Sequence, residues 1–334
     1  MKRLALVARA DQGGLASQTW QFARRMKPER ILVVHTDHKT RGVSDPQIFA
    51  EHCMEMRTCA RAPRPRDAEW LLRGMDVVFT VECWYGHEIP MRAQQAGIKT
   101  VVQGNPEMTG AGEMADVMLA PTRWRLDALP GTPVILPFPT DLELLPPRIR
   151  AERVATLYAV HSTAMCDRNG TELLLKACEL VKRPFNLLIR GGDPHVEQRG
   201  DVSVHWLGHY DGMFYDHWPT GIDGFVIPRR FGGLCLPMQE AASLGLPIIS
   251  LDVDPQRSWL PFQALVPAKP LKTEMMRGGE FEIYSCQPSS LASVLDRLIG
   301  EKAFADFLSD RALAWAEAYS WEALWDHYQA MFRE

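Results

Sequence analysis

The residue types best suited to chemistry crowd into one stretch, PRRFGGLCLPMQEAASLGLPIISLD, from Pro228 to Asp252. An apolar run, Gly224 to Ile227, precedes Gly232 and Gly233. A helical pattern begins near Pro237 and carries Glu240, and Gly245-Leu246-Pro247 closes it ahead of a second apolar run. Glycines between a strand and a helix let a charged ligand come close to the backbone. The first N–H groups of the helix, which lack intrahelical acceptors, and its positive dipole end then face that ligand. The chemistry this predicts is the holding of a phosphate or diphosphate. An ordinary strand-turn-helix connection with no ligand has the same pattern, and the pattern alone does not separate the two.

Elements that position this stretch are legible on both sides of it. Continuous apolar runs predict buried strands at Arg3–Ala8, Arg30–Thr36, Asp76–Glu82, Lys99–Gly104, Asp116–Pro121 and Pro133–Phe138. Helical patterns lie between them, as in GLASQTWQFARRM and HEIPMRAQQAG. The proline-bearing segment Pro137 to Glu152 reads as an interdomain linker. A second alternating series follows, with strands at Arg153–His161, Phe185–Gly191, Val202–Gly208, Gly224–Arg229, Pro247–Asp252 and Phe281–Cys286. Two doubly wound α/β domains result, with ligands expected beyond the carboxyl ends of the strands. The chain ends in helical sequence, where Trp321, Leu324, Trp325 and Tyr328 form a stripe read as core packing.

Composition bounds the remaining choices. At 334 residues two domains are expected, and 46% hydrophobic with 23% charged residues is ordinary for a globular chain. No apolar run reaches the roughly 20 residues of a membrane span, and Arg9 and Asp11 interrupt the N-terminal run too early for a signal peptide. Seven scattered cysteines, none in a C-x-x-C pair, fit free thiols in a reduced, cytoplasmic setting. Charge is uneven: residues 1–150 hold 20 Lys and Arg against 17 Asp and Glu, and the net charge of the whole is −4. The basic excess is dense from Arg57 to Arg66 (RTCARAPRPR), which reads as a loop. That loop is either a solvated surface or a contact for a polyanion. A dinucleotide-dependent oxidoreductase would carry G-x-G-x-x-G after its first strand, and ARADQGGLAS does not supply it.

These residues, taken in order, resemble the retaining nucleotide-sugar glycosyltransferases of the GT-B fold, family 4 type. Gly232-Gly233-Leu234-Cys235-Leu236-Pro237 through Glu240-Ala241, then Gly245-Leu246-Pro247-Ile248-Ile249, lies over that family's E-G-F-G-L-P-x-x-E-A and G-x-P-V-I. DRNGTELLLKA resembles its K-G-x-x-x-L-L-x-A segment, and YSWEALWDHYQAMF its tail helix. The resemblance covers most of the chain. It implies an acceptor-side Rossmann-like domain over 1–147, a donor-binding Rossmann-like domain over 148–315 facing it across a cleft, and a helix over 316–334 crossing back to the first domain. The implied donor-binding residues are Gly13, Gly14, Arg168, Arg230, Gly232, Gly233, Leu234, Cys235 and Glu240. Glu240 would bind the donor ribose. The implied activity moves a sugar from a nucleotide-diphosphate sugar with retention, using no metal or other cofactor and no nucleophilic side chain.

Departures from the family pattern are specific. The first of its paired glutamates falls on Gly232, an arginine position on His161 and a lysine position on Asn169. Arg168, Arg229 and Arg230 are the cations at hand. Acceptor-side candidates are Glu82, Trp84, Tyr85 and His87, with Glu88 beside them, read either as a rim with an aromatic stacking surface or as a half-buried cluster. Arg61, Arg64 and Arg66 join them if the acceptor is a hydroxymethylated base in phage-type DNA. The alternatives are a glycan, lipid or small metabolite as acceptor, or a degenerate chain that binds nucleotide sugar without transferring it. Asp252-Val253-Asp254 and His35-Thr36-Asp37-His38 have metal-ligand residue types but are read as chance spacing and a strand-end turn.

Overall fold

A computed structural model describes residues 2–11, 13–35, 45–110, 113–161, 167–209, 218–276 and 279–334. The chain divides into two compact units, Met1–Pro139 with Met276–Gly279 and Trp321–Glu334, and Thr140–Met275 with Glu280–Ser320. Residues 140–147, placed by sequence in the first domain, group with the second, while residues 316–320 stay with the second. Among the described residues no helix is long and apolar enough to cross a membrane. None of the six described cysteines forms a disulfide, and Cys166 lies outside the described residues.

The first unit is a seven-stranded sheet of β1 (Leu4–Ala8), β2 (Arg30–His35), β3 (Glu55–Ala60), β4 (Val77–Val81), β5 (Lys99–Gln103), β6 (Val117–Ala120) and β7 (Val134–Ile135). The order is β3-β2-β1-β4-β5-β6-β7, with every pairing parallel. β1 and β4 are buried at every position, as expected of strands covered on both faces. The helices are α1 (Gly14–Met26), α2 (Pro65–Leu72) and α3 (Glu88–Gln95). The Arg57–Arg66 segment is not one loop: Arg57 to Ala60 complete β3 at the sheet edge, and α2 starts at Pro65. This edge strand leaves Glu55, Arg57, Thr58 and Ala60 to water, so it has neither an apolar run nor a clear alternation to read in the sequence.

The second unit has β8 (Thr156–Val160), β9 (Phe185–Arg199), β10 (Val202–Gly208), β11 (Gly224–Val226), β12 (Ile248–Leu251) and β13 (Leu265–Val266) in the order β10-β9-β8-β11-β12-β13. β10 pairs twice with β9: in parallel with 185–191, and in antiparallel register with 195–199 folded back beside it. β14 (Lys269–Met276) and β15 (Gly279–Ser285) form a separate two-stranded sheet. The strand expected at Phe281–Cys286 is therefore not part of the main sheet, whose last place β13 takes. The helices are α4 (Thr171–Cys178), α5 (Leu236–Ser243), α6 (Pro288–Gly300) and α7 (Lys302–Ala318).

The chain then rejoins the first unit as α8 (Trp321–Phe332). Phe332 meets Phe22 and Phe79 edge-on, with centroids 5.0 and 5.1 Å away. The Tyr328 hydroxyl donates to Pro137 O at 3.1 Å. Arg333 donates to Lys2 O, Met26 O, Lys27 O and the Glu29 carboxylate. Of the expected stripe, Trp321 and Tyr328 are core, Leu324 is half-buried, and Trp325 lies at the rim, 37% exposed.

Candidate functional site

In the second sheet β8 and β11 are neighbours, yet β8 leads to β9 on one side and β11 to β12 on the other. Right-handed crossovers then send α4 and α5 to opposite faces, opening a crevice beyond the carboxyl ends of β8 and β11. Both helix starts lie there. Asp167 (φ +52°) caps α4, its carboxylate accepting from Thr171 N at 2.8 Å and Glu172 N at 3.2 Å. Burial nevertheless pushes the Asp167 carboxyl above its ordinary range, against those N–H bonds.

Gly170 brings the two turns together. It has φ +70°, and a Cβ there would stand 2.3 Å from Pro228 O, so no other residue fits without moving the chain. Sequence reasoning did not single it out, although an Asn-Gly pair ahead of a helical pattern is a turn signal. Asn169, just before it, donates to Val160 O at 2.9 Å and accepts from Arg229 Nη1 at 3.2 Å. Arg229 Nη2 donates to Leu234 O at 3.0 Å. Arg229 thus joins the start of α4 to the start of α5, and it is 2% exposed. Arg230 takes another course: its N–H donates to Arg168 O at 2.9 Å, and its Nε donates to Tyr284 O at 3.0 Å.

The glycine turn follows directly. Gly232 has φ +109° and is buried, as is Gly233. A side chain at 232 would be strained, which gives a physical reason for the missing carboxylate. Leu234 is half-buried, and Cys235 precedes α5 in extended conformation without a side-chain cap. Pro237 has no N–H and Met238 N already donates to Cys235 O at 3.0 Å, so at the start of α5 it is the Leu236 N–H that lies ahead of the first intrahelical bond. One turn in, Glu240 is 8% exposed, and its Oε2 accepts from Trp218 Nε1 at 3.0 Å. Trp218 meets Tyr158 edge-on at 5.0 Å. Burial pushes the Tyr158 hydroxyl up to about 12, against a hydrogen bond from Arg190. His161 Nδ1 lies 3.0 Å from Thr171 Oγ1. Thus Arg168, Arg230, Gly232, Gly233, Leu234, Cys235 and Glu240 are all placed on the loops and helix start around this one crevice.

The first unit repeats the topology with β1 beside β4. Beyond β1, Arg9 and Asp11 form a buried ion pair, and Asp11 Oδ1 accepts from Gly13 N at 3.0 Å. Gly13 is half-buried and Gly14, opening α1, is exposed. Beyond β4, Glu82 (φ +66°) accepts from Asn105 Nδ2 at 3.1 Å. The Tyr85 hydroxyl is driven well above its ordinary value by burial, with Arg9 opposing. Glu107, after β5, is fully buried. Trp84 departs from expectation: it is 1% exposed, and its indole N–H donates to Met114 O at 2.7 Å. It offers no stacking face and is a core residue. His87 is exposed at the start of α3. Arg61, Arg64 and Arg66 are exposed, and a Cβ on Gly86 would lie 3.9 Å from Ala62, so the Arg61–Arg64 turn borders the Tyr85–His87 loop.

Among the described residues no cluster of three or more His, Cys, Asp or Glu has metal-site geometry. Asp252 and Asp254 both face the Arg257 guanidinium, at 3.2 and 3.7 Å. Thr36, Asp37 and His38 lie outside the described residues.

Residues 156–262, which span both helix starts, match the family model described as glycosyl transferases group 1. No curated protein sequence matches the chain. Among solved structures, Anabaena HepE in complex with UDP and glucose aligns over 99% of both chains at TM-score 0.73 and 10% identity. A sucrose-phosphate synthase from Thermosynechococcus elongatus aligns over 100% of this chain and 98% of that one, at 0.66 and 17%. The lipopolysaccharide outer core galactosyltransferase WaaB aligns over 99% of both at 0.63 and 14%. At these identities the likeness is one of fold, and the fold is GT-B.

Proposed function

We propose that this GT-B chain is a glycosyltransferase that takes a sugar from a nucleotide-diphosphate donor bound by the second unit. One observation carries the reading: two helix starts, a glycine turn and three arginines meet at the switch point of the sheet whose sequence matches the group 1 model. Cleaving the sugar–phosphate bond leaves negative charge on the departing diphosphate. Oriented N–H groups and fixed cations stabilise that charge without reorganising, each donor by roughly 3 kcal/mol. Leu234, Cys235 and Leu236 supply N–H groups at the α5 start, and Arg168 and Arg230 supply guanidinium groups suited to phosphate. Glu240, fixed by Trp218, accepts from the ribose hydroxyls. The acceptor oxygen forms the new bond on the face the diphosphate leaves, so configuration is retained, and the acceptor proton passes to the leaving phosphate. No side chain acts as nucleophile.

The proposed acceptor is a hydroxymethylated DNA base. Support comes from Arg61, Arg64 and Arg66, exposed and beside the Tyr85–His87 loop, with Glu82 and Asn105 nearby as partners for a hydroxyl. Duplex binding is expected to weaken steeply with salt. Changing these arginines to Ala should make that dependence shallower, by about 0.9 in logarithmic slope for each phosphate no longer neutralised. Salt-indifferent binding moves the acceptor to a glycan, lipid or small metabolite. The donor reading is tested by a thermal-shift series of nucleoside diphosphates and nucleotide sugars, because a ligand held only by the folded state raises its stability. No shift with any member removes it. A binding-only protein is the second reading, favoured by Gly232 standing where a carboxylate would grip the sugar; donor hydrolysis or transfer seen by chromatography decides against it.

A further inference from the structure

Among the described residues, Arg229 is a buried cation without a counter-charge. It is 2% exposed, and the partners of its guanidinium are the neutral Asn169 Oδ1 and Leu234 O. Among the described residues its Nε, also buried, has no hydrogen-bond partner, and no carboxylate lies within ion-pair distance. Guanidinium stays protonated in proteins, and burying a charge is costly unless an opposite charge answers it. A charge arriving from outside would answer it and remove that cost. Its place is informative: Asn169 stands immediately before Gly170, which opens α4, and Leu234 immediately before Cys235, which opens α5.

We infer that Arg229 is the fixed positive charge of the diphosphate site, set behind the two helix starts and compensated only when the donor's diphosphate is bound. The inference rests on the donor-site reading above and adds to it a residue and a role. Arg229 acts through the surrounding turn, holding Leu234 O inward while its charge raises the potential at the N–H groups. It is a positioning residue with an electrostatic function, delivered from the β11 side of the crevice. The Asn169 amide, 3.2 Å from the guanidinium, marks a second place from which the same charge can be supplied.

The test is calorimetric binding of inorganic pyrophosphate and of nucleoside diphosphates to four forms of the full chain: unchanged, Arg229→Met, Arg229→Lys, and the double variant Arg229→Met with Asn169→Lys. Circular dichroism checks that each is folded. Removing the charge is expected to weaken pyrophosphate binding by about thirtyfold or more. Arg229→Lys is expected to keep most of the affinity, and the double variant to recover most of what Arg229→Met loses. Two results overturn the inference while leaving the donor site standing: equal binding by Arg229→Met, or a loss that neither lysine repairs, which makes Arg229 a neutral clamp between turns. If Arg229→Met is unfolded, Arg229→Lys and the double variant decide between charge and clamp. Failure of the unchanged protein to bind any of these ligands overturns the donor-site reading itself.

Discussion

The two units use one topology for opposite electrostatics. Each main sheet has a switch point beside its first strand, β1 against β4 in one and β8 against β11 in the other, with a glycine close to the helix start after that strand. Beyond β1, β4 and β5 stand Asp11, Glu82 and Glu107, and the buried Arg9 is matched by Asp11. Beyond β8 and β11 stand Arg168, Arg229 and Arg230, and the buried Arg229 is matched by no carboxylate among the described residues. A crevice with carboxylates in excess over the buried Arg9 suits hydroxyl groups, which donate to carboxylate oxygens; one with surplus positive charge suits a diphosphate. The formal charges of the surrounding sequence run the other way, with the first half basic and the whole chain at −4. Local placement, then, and not net charge, sets what each crevice can hold.

The largest expected effect separates the two glycines. Gly170→Ala combines a left-handed backbone with a 2.3 Å approach to Pro228 O and is expected to cost at least about 3 kcal/mol in urea denaturation. Gly13→Ala, at φ −91°, should cost about 1 kcal/mol or less; equal costs would mean that the turns of the two units are not held differently. Next comes Trp84→Phe, which removes a buried indole and its bond to Met114 O. It should lower stability by about 1–3 kcal/mol while leaving acceptor affinity unchanged. A rise in acceptor KM with intact stability would return Trp84 to the acceptor surface.

Glu240→Gln keeps shape but loses charge, and is expected to raise donor KM about tenfold without changing acceptor KM. The reverse pattern would exchange the roles of the two units. The smallest effect concerns Asp167, whose carboxyl burial raises above the ordinary range. The folded protein holds that proton more tightly than the unfolded chain. This group's contribution to stability is therefore full below the unfolded value of about 4 and falls as pH rises through the higher folded value. Asp167→Asn still accepts from the α4 N–H groups but does not titrate. Denaturation at about pH 3 and pH 7 should show the variant gaining on the parent at the higher pH.

Legibility in the sequence followed the range of the interaction. β1 and β4 were plain because strands buried on both faces are apolar at every position. The glycine turn was plain because glycine between an apolar run and a helix has a local cause, and Glu240 because it sits one turn beyond it. β3 was hidden, since this edge strand, with Glu55, Arg57 and Thr58 exposed, has no apolar run. Trp84 stayed open between a rim ring and a half-buried cluster, because nothing adjacent in sequence shows that its indole is buried and bonded to Met114 O. Arg229 drew no more notice than Arg230, its neighbour, although one is buried between two turns and the other is tied to β15.

By itself, the sequence determined the alternating α/β architecture, its division into two main sheets and the positions where the chain must turn on glycine, because backbone sterics and hydrophobic periodicity act within a few residues. Tertiary structure alone decided that β8 lies against β11, that Gly170 packs on Pro228, and that one arginine of an adjacent pair is sealed from water. Those outcomes depend on strand order, which brings together residues some 60 positions apart, and no local pattern encodes which of them will share a crevice.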